Sequence, residues 1–193
     1  MASGTRDLLQ GLRARDPEVL RDVVDRHARR VYRAARGMGF TASDAEDLAQ
    51  EVFVTFLDTL DRFEGRAQVG TWLFGILHHK AQERRRLRGR EELADPIEDA
   101  FEAEFDAGGG WIQSPVPADR LAASRETADA LSQCLTELSD EHRAVFQLRQ
   151  VEGLTAAEVS EILGCTTTNV GVMFHRVRLR LRACLEGKGW GHS

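Results

Sequence analysis

The sequence predicts an all-α protein of two small helical domains joined by a flexible acidic linker. Three observations carry that reading. Apolar residues recur at helical spacing through most of the chain, and no strand-like alternation bounded by turns occurs. Gly108, Gly109 and Gly110, with Pro96, Pro115 and Pro117, forbid a continuous helix between residues 91 and 120. Beyond that break, residues 139–182 read as short helices joined by a tight Gly-containing turn, the pattern of a helix-turn-helix. The expected organisation is a domain at 1–90, a linker at 91–120, a second domain at 121–186 and a tail at 187–193.

In the first domain, Asp16 and Pro17 make a helix start, with Asp as N-cap and Pro at the first helical position. Leu20, Val24, His27, Val31, Ala35 and Met38 then form a helical stripe that Gly37 and Gly39 end. His27 reads as a core-edge residue rather than a ligand. Ser43 with Glu46 forms a capping box for a second helix. Leu48, Val52, Phe56 and Leu60 line its apolar face, widened by Phe53 and Leu57. Asp44, Asp47, Gln50, Glu51 and Asp58 lie on the polar side. Favourable charge near a helix N-terminus accounts for Asp44, Glu46 and Asp47, but less well for groups as far along as Glu51. A protein-docking face is the sharper reading for the groups extending to Glu51; helix physics alone leaves both readings open.

A third helix runs from about Thr71 to Arg88, with Trp72, Leu73, Ile76, Leu77 and Ala81 apolar. Its far end carries Lys80, Arg84, Arg85, Arg86, Arg88 and Arg90. Such a run is either a solvated helix terminus or a phosphate-binding end, and the preponderance of Arg over Lys favours phosphate.

The overall charge of −5 hides this basic stretch, because residues 91–118 hold eight acids and no basic residue. Ile97, Phe101 and Phe105 interleave with those acids, so a short amphipathic turn on a partner is an option there. Cys134, Cys165 and Cys184 form no CxxC pair and read as buried thiols in a reducing compartment. A zinc site joining them to His142 or His175 would need unusual spacing, so no metal and no cofactor are expected. No run is long enough to span a membrane and no signal peptide is visible, so the expected location is cytoplasmic. No Ser/His/Asp arrangement, phosphate loop or metal cluster points to an enzyme.

In the second domain, Ala130, Leu131, Cys134, Leu135 and Leu138 mark one helix. Ser139 caps the next, with Val145, Leu148 and Val151 inward and Gly153 at its end. Thr155 and Glu158 make a capping box, Gly164 supplies a left-handed helix end, and Thr166 caps the long helix that follows. On that helix Val170, Phe174, Val177 and Leu181 face the core, and Thr168, Val172, His175, Arg176 and Leu179 occupy the opposite pole. Arg178, Arg180 and Arg182 flank it. Thr167, Thr168 and Asn169 sit at the N-terminal end, the part of a recognition helix that meets base edges.

Four blocks in register carry a family resemblance: DAEDLAQEVFVTFLDTL at 44–60, DRFEG at 61–65, TWLFGIL at 71–77, and the helix-turn-helix at 139–182. Together they resemble the extracytoplasmic-function (ECF) sigma factors of bacterial RNA polymerase, over nearly the whole chain. The resemblance implies a region 2-like domain of three helices and a region 4-like helix-turn-helix domain. It implies docking on core polymerase, through its β and β′ subunits, by Asp44, Asp47, Leu48, Gln50, Glu51 and Phe53. It implies capture and melting of a −10 element by Phe63, Glu64, Arg66, Thr71, Trp72, His78, His79, Lys80, Arg84 and Arg85. It implies −35 reading by Thr166, Thr167, Thr168, Asn169, Val172, His175, Arg176 and Arg178. An anti-sigma factor is the implied regulator, with Trp111 and Trp190 as contact candidates, and the free protein is expected to be monomeric.

The chain departs from the family pattern at Gly70, Gly75, His78, His79, Gly171 and Met173, where basic or amide residues are common in relatives. The competing reading is a stand-alone helix-turn-helix regulator, which would need neither a docking helix nor a −10 apparatus.

Overall fold

The computed structural model describes residues 2–65, 67–89 and 125–190. The linker, Arg66, Trp111 and the last three residues lie outside that set. The described residues form helices, turns and loops and include no strand. They divide into an N-terminal unit holding α1 to α4 and a C-terminal unit holding α5, α6, α8 and the body of α7.

The N-terminal unit has one helix more than expected. α1 spans Ala2–Arg13, ahead of the Asp16 start signal. It seats Leu12 in the core at 1% exposure. Gly11 is what lets it approach α2: a Cβ there would lie 2.6 Å from Val19 Cγ2. α2 (Pro17–Gly37) begins as predicted, with the Asp16 side chain accepting from Glu18 N–H and Pro17 in the first turn. Its buried stripe is Val23, Val31, Ala34, Ala35 and then Met38, while Leu20, Val24 and His27 are half-buried.

α3 (Ala42–Asp58) is capped by Thr41, not Ser43: the Thr41 hydroxyl accepts from Asp44 N–H and donates to the Asp44 carboxylate. The two positions are both good caps, and the earlier one gains two extra residues of helix, Ala42 and Ser43. Ala45, Leu48, Val52 and Phe56 are buried along α3. A 3₁₀ turn at Leu60–Arg62 leads to the loop before α4 (Val69–Leu87), which starts two residues earlier than the apolar pattern indicated. α2, α3 and α4 pack against one another in every pairing, around Phe56, Leu60, Leu73, Phe74 and Leu77.

In the C-terminal unit, α5 is Arg125–Thr136 and α6 is Asp140–Phe146, capped by Ser139 as predicted. A π-helical turn at Gln147–Val151 extends α6. That wider turn rotates Val151 outward to 57% exposure, against the expectation that it faces inward. α7 (Ala156–Leu163) carries the full Thr155–Glu158 capping box and ends at Gly164 with φ 68°. α8 (Thr167–Gly187) follows directly, its first turn closed by the Thr166 hydroxyl accepting from Asn169 N–H.

α5 and α8 share a core of Ala130, Cys134, Leu138, Val177, Leu181 and Leu185. Here a second expectation is corrected. Cys134 and Cys184 are joined as a disulfide, their Cα atoms 5.9 Å apart, and Cys165 alone is a free thiol. The sequence separation of 50 hid the pairing, which arises because α5 and α8 run side by side. Trp190, a contact candidate in the expected tail, packs partly buried against the same core.

Candidate functional site

The first surface is the α3 face. Asp47 and Gln50 are exposed, Glu51 and Phe53 half-exposed. Beside them a shallow groove between α2 and α3 is lined by Ala28, Arg29, Tyr32, Glu46, Ala49 and Gln50. Leu48 is fully buried, so its predicted place on this surface is corrected: at the core-facing positions of the 3.6 repeat it packs inward.

The acids of this face are engaged by the end of α4. Arg84 lies 3.6 Å from the Asp44 carboxylate and 3.7 Å from that of Asp47, and it pairs closely with Glu51. It also donates to the Asp44 backbone carbonyl at 3.2 Å. Arg88 grips both carboxylate oxygens of Asp44. The Arg88 hydrogen bonds, then that of Thr41, hold the Asp44 carboxyl well below the usual carboxylate range. Arg84 is only 18% exposed at the side chain, so its charge is spent on protein rather than displayed. Helix spacing could not reveal this network, whose partners lie 33 to 44 residues apart.

The second surface is the loop before α4 and the outer side of that helix. Glu64 and His79 are exposed, and Lys80 is half-buried with Glu83 at 3.6 Å. Phe63 and Trp72 meet edge-on with ring centroids 5.6 Å apart. Phe63 is nonetheless buried at 4% exposure and Thr71 at 5%, and Trp72 is half-buried. Trp72 Nε1 is buried and has no hydrogen-bond partner among the described residues.

Two more predicted DNA contacts prove to be interior. His78 is 3% exposed, and burial, aided by His79 and Arg85, lowers its pKa to about 4. Arg85 is 7% exposed, donates to Met38 O at 2.8 Å and lies 5.0 Å over the Phe40 ring. Both sit on the side of α4 that α2 and α3 cover, so the arginine run divides between two faces. Arg86 and Arg88 remain exposed at the helix end.

The third surface is the start of α8. Thr166, Thr167, Thr168 and Asn169 are all exposed. Val172, Arg176 and Arg178 are half-exposed. His175, predicted on the outer pole, is 1% exposed. The error was to assign α8 a single apolar stripe. Both α5 and α6 pack on it, which buries a wider arc. The π-turn adds a residue that sequence reasoning missed: Arg149 lies 5.5 Å over the Phe174 ring, and Arg178 lies 5.9 Å over the same ring. Among the described residues no group of three or more His, Cys, Asp or Glu side chains is placed to hold a metal, and no helix is long and apolar enough to cross a membrane.

A helix-turn-helix with an exposed polar N-terminus on its second helix, in one chain with a separate helical unit that has an acidic face and an arginine-rich helix end, defines a DNA-binding transcription protein. Residues 23–91 match sigma-70 region 2 and residues 128–181 match sigma-70 region 4. The RNA polymerase sigma factor YlaC of Bacillus subtilis (strain 168) is 32% identical over 139 residues, covering 72% of this chain and 75% of that one. The ECF RNA polymerase sigma factor SigW of the same strain is 28% identical, covering 89% of this chain and 91% of its own. The solved complex of the sigma factor RpoE with the anti-sigma factor NepR from Bartonella quintana shares the fold. Its TM-score is 0.64 at 22% identity, over 86% of this chain and 96% of that one. The chain belongs to the ECF RNA polymerase sigma factors. It is therefore a non-enzymatic initiation factor that joins core RNA polymerase and promoter DNA.

Proposed function

We propose that the three surfaces divide the work of initiation. The α3 face docks on the β′ subunit of core polymerase through Asp44, Asp47, Gln50, Glu51 and Phe53, with Leu48 holding the helix in place from beneath. The C-terminal unit adds a contact to the β subunit. The loop around Glu64 and Arg66, with Trp72, His79, Lys80 and the α4 end, captures and opens the −10 element, where an aromatic ledge and a basic track suit an unstacked single strand. Phe63, Thr71, His78 and Arg85 support that surface from the core. At the −35 element Thr166 to Asn169 meet base edges while Arg176 and Arg178 reach phosphates, and His175 packs behind them.

The observation that carries the docking assignment is the run of exposed polar residues on α3 beside the α2–α3 groove. Such a face also suits a polypeptide that competes with polymerase. The solved relative bound to an anti-sigma factor supports that mode of control here. The free protein is proposed to be a cytoplasmic monomer.

Capture of this chain on immobilised core polymerase tests the reading. Asp47→Lys and Phe53→Ala should each weaken capture at least tenfold, and Asp58→Asn should leave it unchanged. Full capture of both variants, with helical content intact, would overturn the docking face.

A further inference from the structure

The α4–α3 ion network links two surfaces that the proposed function treats separately. Arg84 touches Asp44, Asp47 and Glu51, and Arg88 holds Asp44. Asp47 and Glu51 belong to the docking face, and Arg84 and Arg88 to the basic end of α4. Three carboxylates meet two guanidiniums, so the network carries one surplus negative charge. It straddles the protein surface: the side chains of Asp47, Glu51 and Arg88 are 60%, 43% and 45% exposed, and those of Arg84 and Asp44 at its centre are 18% and 14% exposed. The exposed arms of the network, Asp47, Glu51 and Arg88, are within reach of an incoming partner, and ion pairs that open to solvent contribute little net stability. Arginine is also the side chain best matched to either a carboxylate or a phosphate, by the same paired N–H geometry.

We propose that this network is a charge relay: while the α3 carboxylates hold Arg84 and Arg88, the end of α4 is withheld from nucleic acid, and a basic polymerase surface that takes those carboxylates frees both arginines for promoter phosphates. Docking and strand binding are then coupled by exchange of partners, without any movement of the helices. Arg84 and Arg88 are positioning residues in the free protein and phosphate contacts in the holoenzyme. The inference rests on the docking assignment made above.

The test uses the full chain without polymerase, and a fluorescein-labelled 20-nucleotide oligo-dT as probe, read by anisotropy across a salt series. Asp44→Asn/Glu51→Gln mimics loss of the carboxylates. Glu18→Gln/Asp58→Asn makes the same change in net charge away from the network.

The first pair should bind more tightly than the charge-matched control, with a salt slope (log affinity against log salt concentration) steeper by about 1.4, the value for two added phosphate contacts on a single strand. Adding Arg84→Ala/Arg88→Ala to it should abolish the gain. Equal affinity and slope in the two charge-changed proteins would overturn the relay, as would a gain that survives loss of both arginines. Capture of Asp47→Lys and Phe53→Ala on core polymerase, run alongside, keeps the two ideas separable. Normal capture of Asp47→Lys and Phe53→Ala sinks the docking assignment. Impaired capture of those two with no oligo-dT gain in the carboxylate variant sinks only the relay. Unchanged thermal unfolding of each variant confirms that the readouts do not report misfolding.

Discussion

Single residues here do work that their position in sequence conceals. His78 follows a helical repeat into the core, where its Nδ1 has no hydrogen-bond partner among the described residues. Its folded pKa of about 4 lies below the ordinary 6.5. Between those values the unfolded chain takes up a proton that the folded chain refuses. Stability therefore falls as pH drops from 6.5 toward 4 and stops falling on this account below that. The loss should amount to about 3 kcal/mol, and His78→Gln should flatten that part of a denaturation-midpoint profile while leaving the smaller contribution of His27, whose pKa burial also lowers. A wild-type profile flat across this range would show His78 to be solvated.

In the C-terminal unit the exposed Asn169 and the half-exposed Arg178 should behave differently. Asn169→Ala should relax preference at one −35 position by about 1–3 kcal/mol. Arg178→Ala should weaken binding to all sequences alike and lower the salt slope. Identical effects on a panel of −35 variants would contradict the division between base and phosphate contacts.

At the scale of helices, local signals were legible and cross-chain ones were not. The Thr155–Glu158 box, the left-handed Gly164 and the Thr166 cap are written within a few residues each, and all three appear. The Asp16–Pro17 start is likewise local. Thr41 displaced Ser43 because two adequate caps stood two residues apart and only the packed helix chooses between them. α1 lacked a start signal and a familiar motif, so it was missed.

The site was less legible than the fold. A single apolar stripe is a poor guide to a helix packed on two sides, which is why His175, His78 and Arg85 were placed outward. The arginine run of α4 gave composition but not direction, and its carboxylate partners are more than thirty residues away. The Cys134–Cys184 link is the same kind of case. It should show as one titratable thiol in the denatured, unreduced protein and three after reduction. Closing a loop of sequence separation 50 contributes about 4 kcal/mol in the chain-entropy account, so reduction should lower the melting temperature of the C-terminal unit. Three thiols without reductant would remove this staple from the account.

At the largest scale, the described residues form two helical units, each matched to a different sigma region, and the sequence that joins them is strongly acidic. In the proposed division of work, each unit presents one DNA-facing surface, and the N-terminal one adds a polymerase-docking face. Promoter choice then follows from gripping two elements at once, where modest affinities at each point multiply through the joining segment.

The most direct test is reconstitution of this chain with core RNA polymerase on a library of genomic fragments, followed by run-off transcription and permanganate mapping of melted thymines. Initiation from a discrete set of fragments sharing −35 and −10 elements, with thymines reactive at the −10, is the predicted result. Sequence-specific binding by the chain alone, with no transcript and no melting when core enzyme is added, would contradict it.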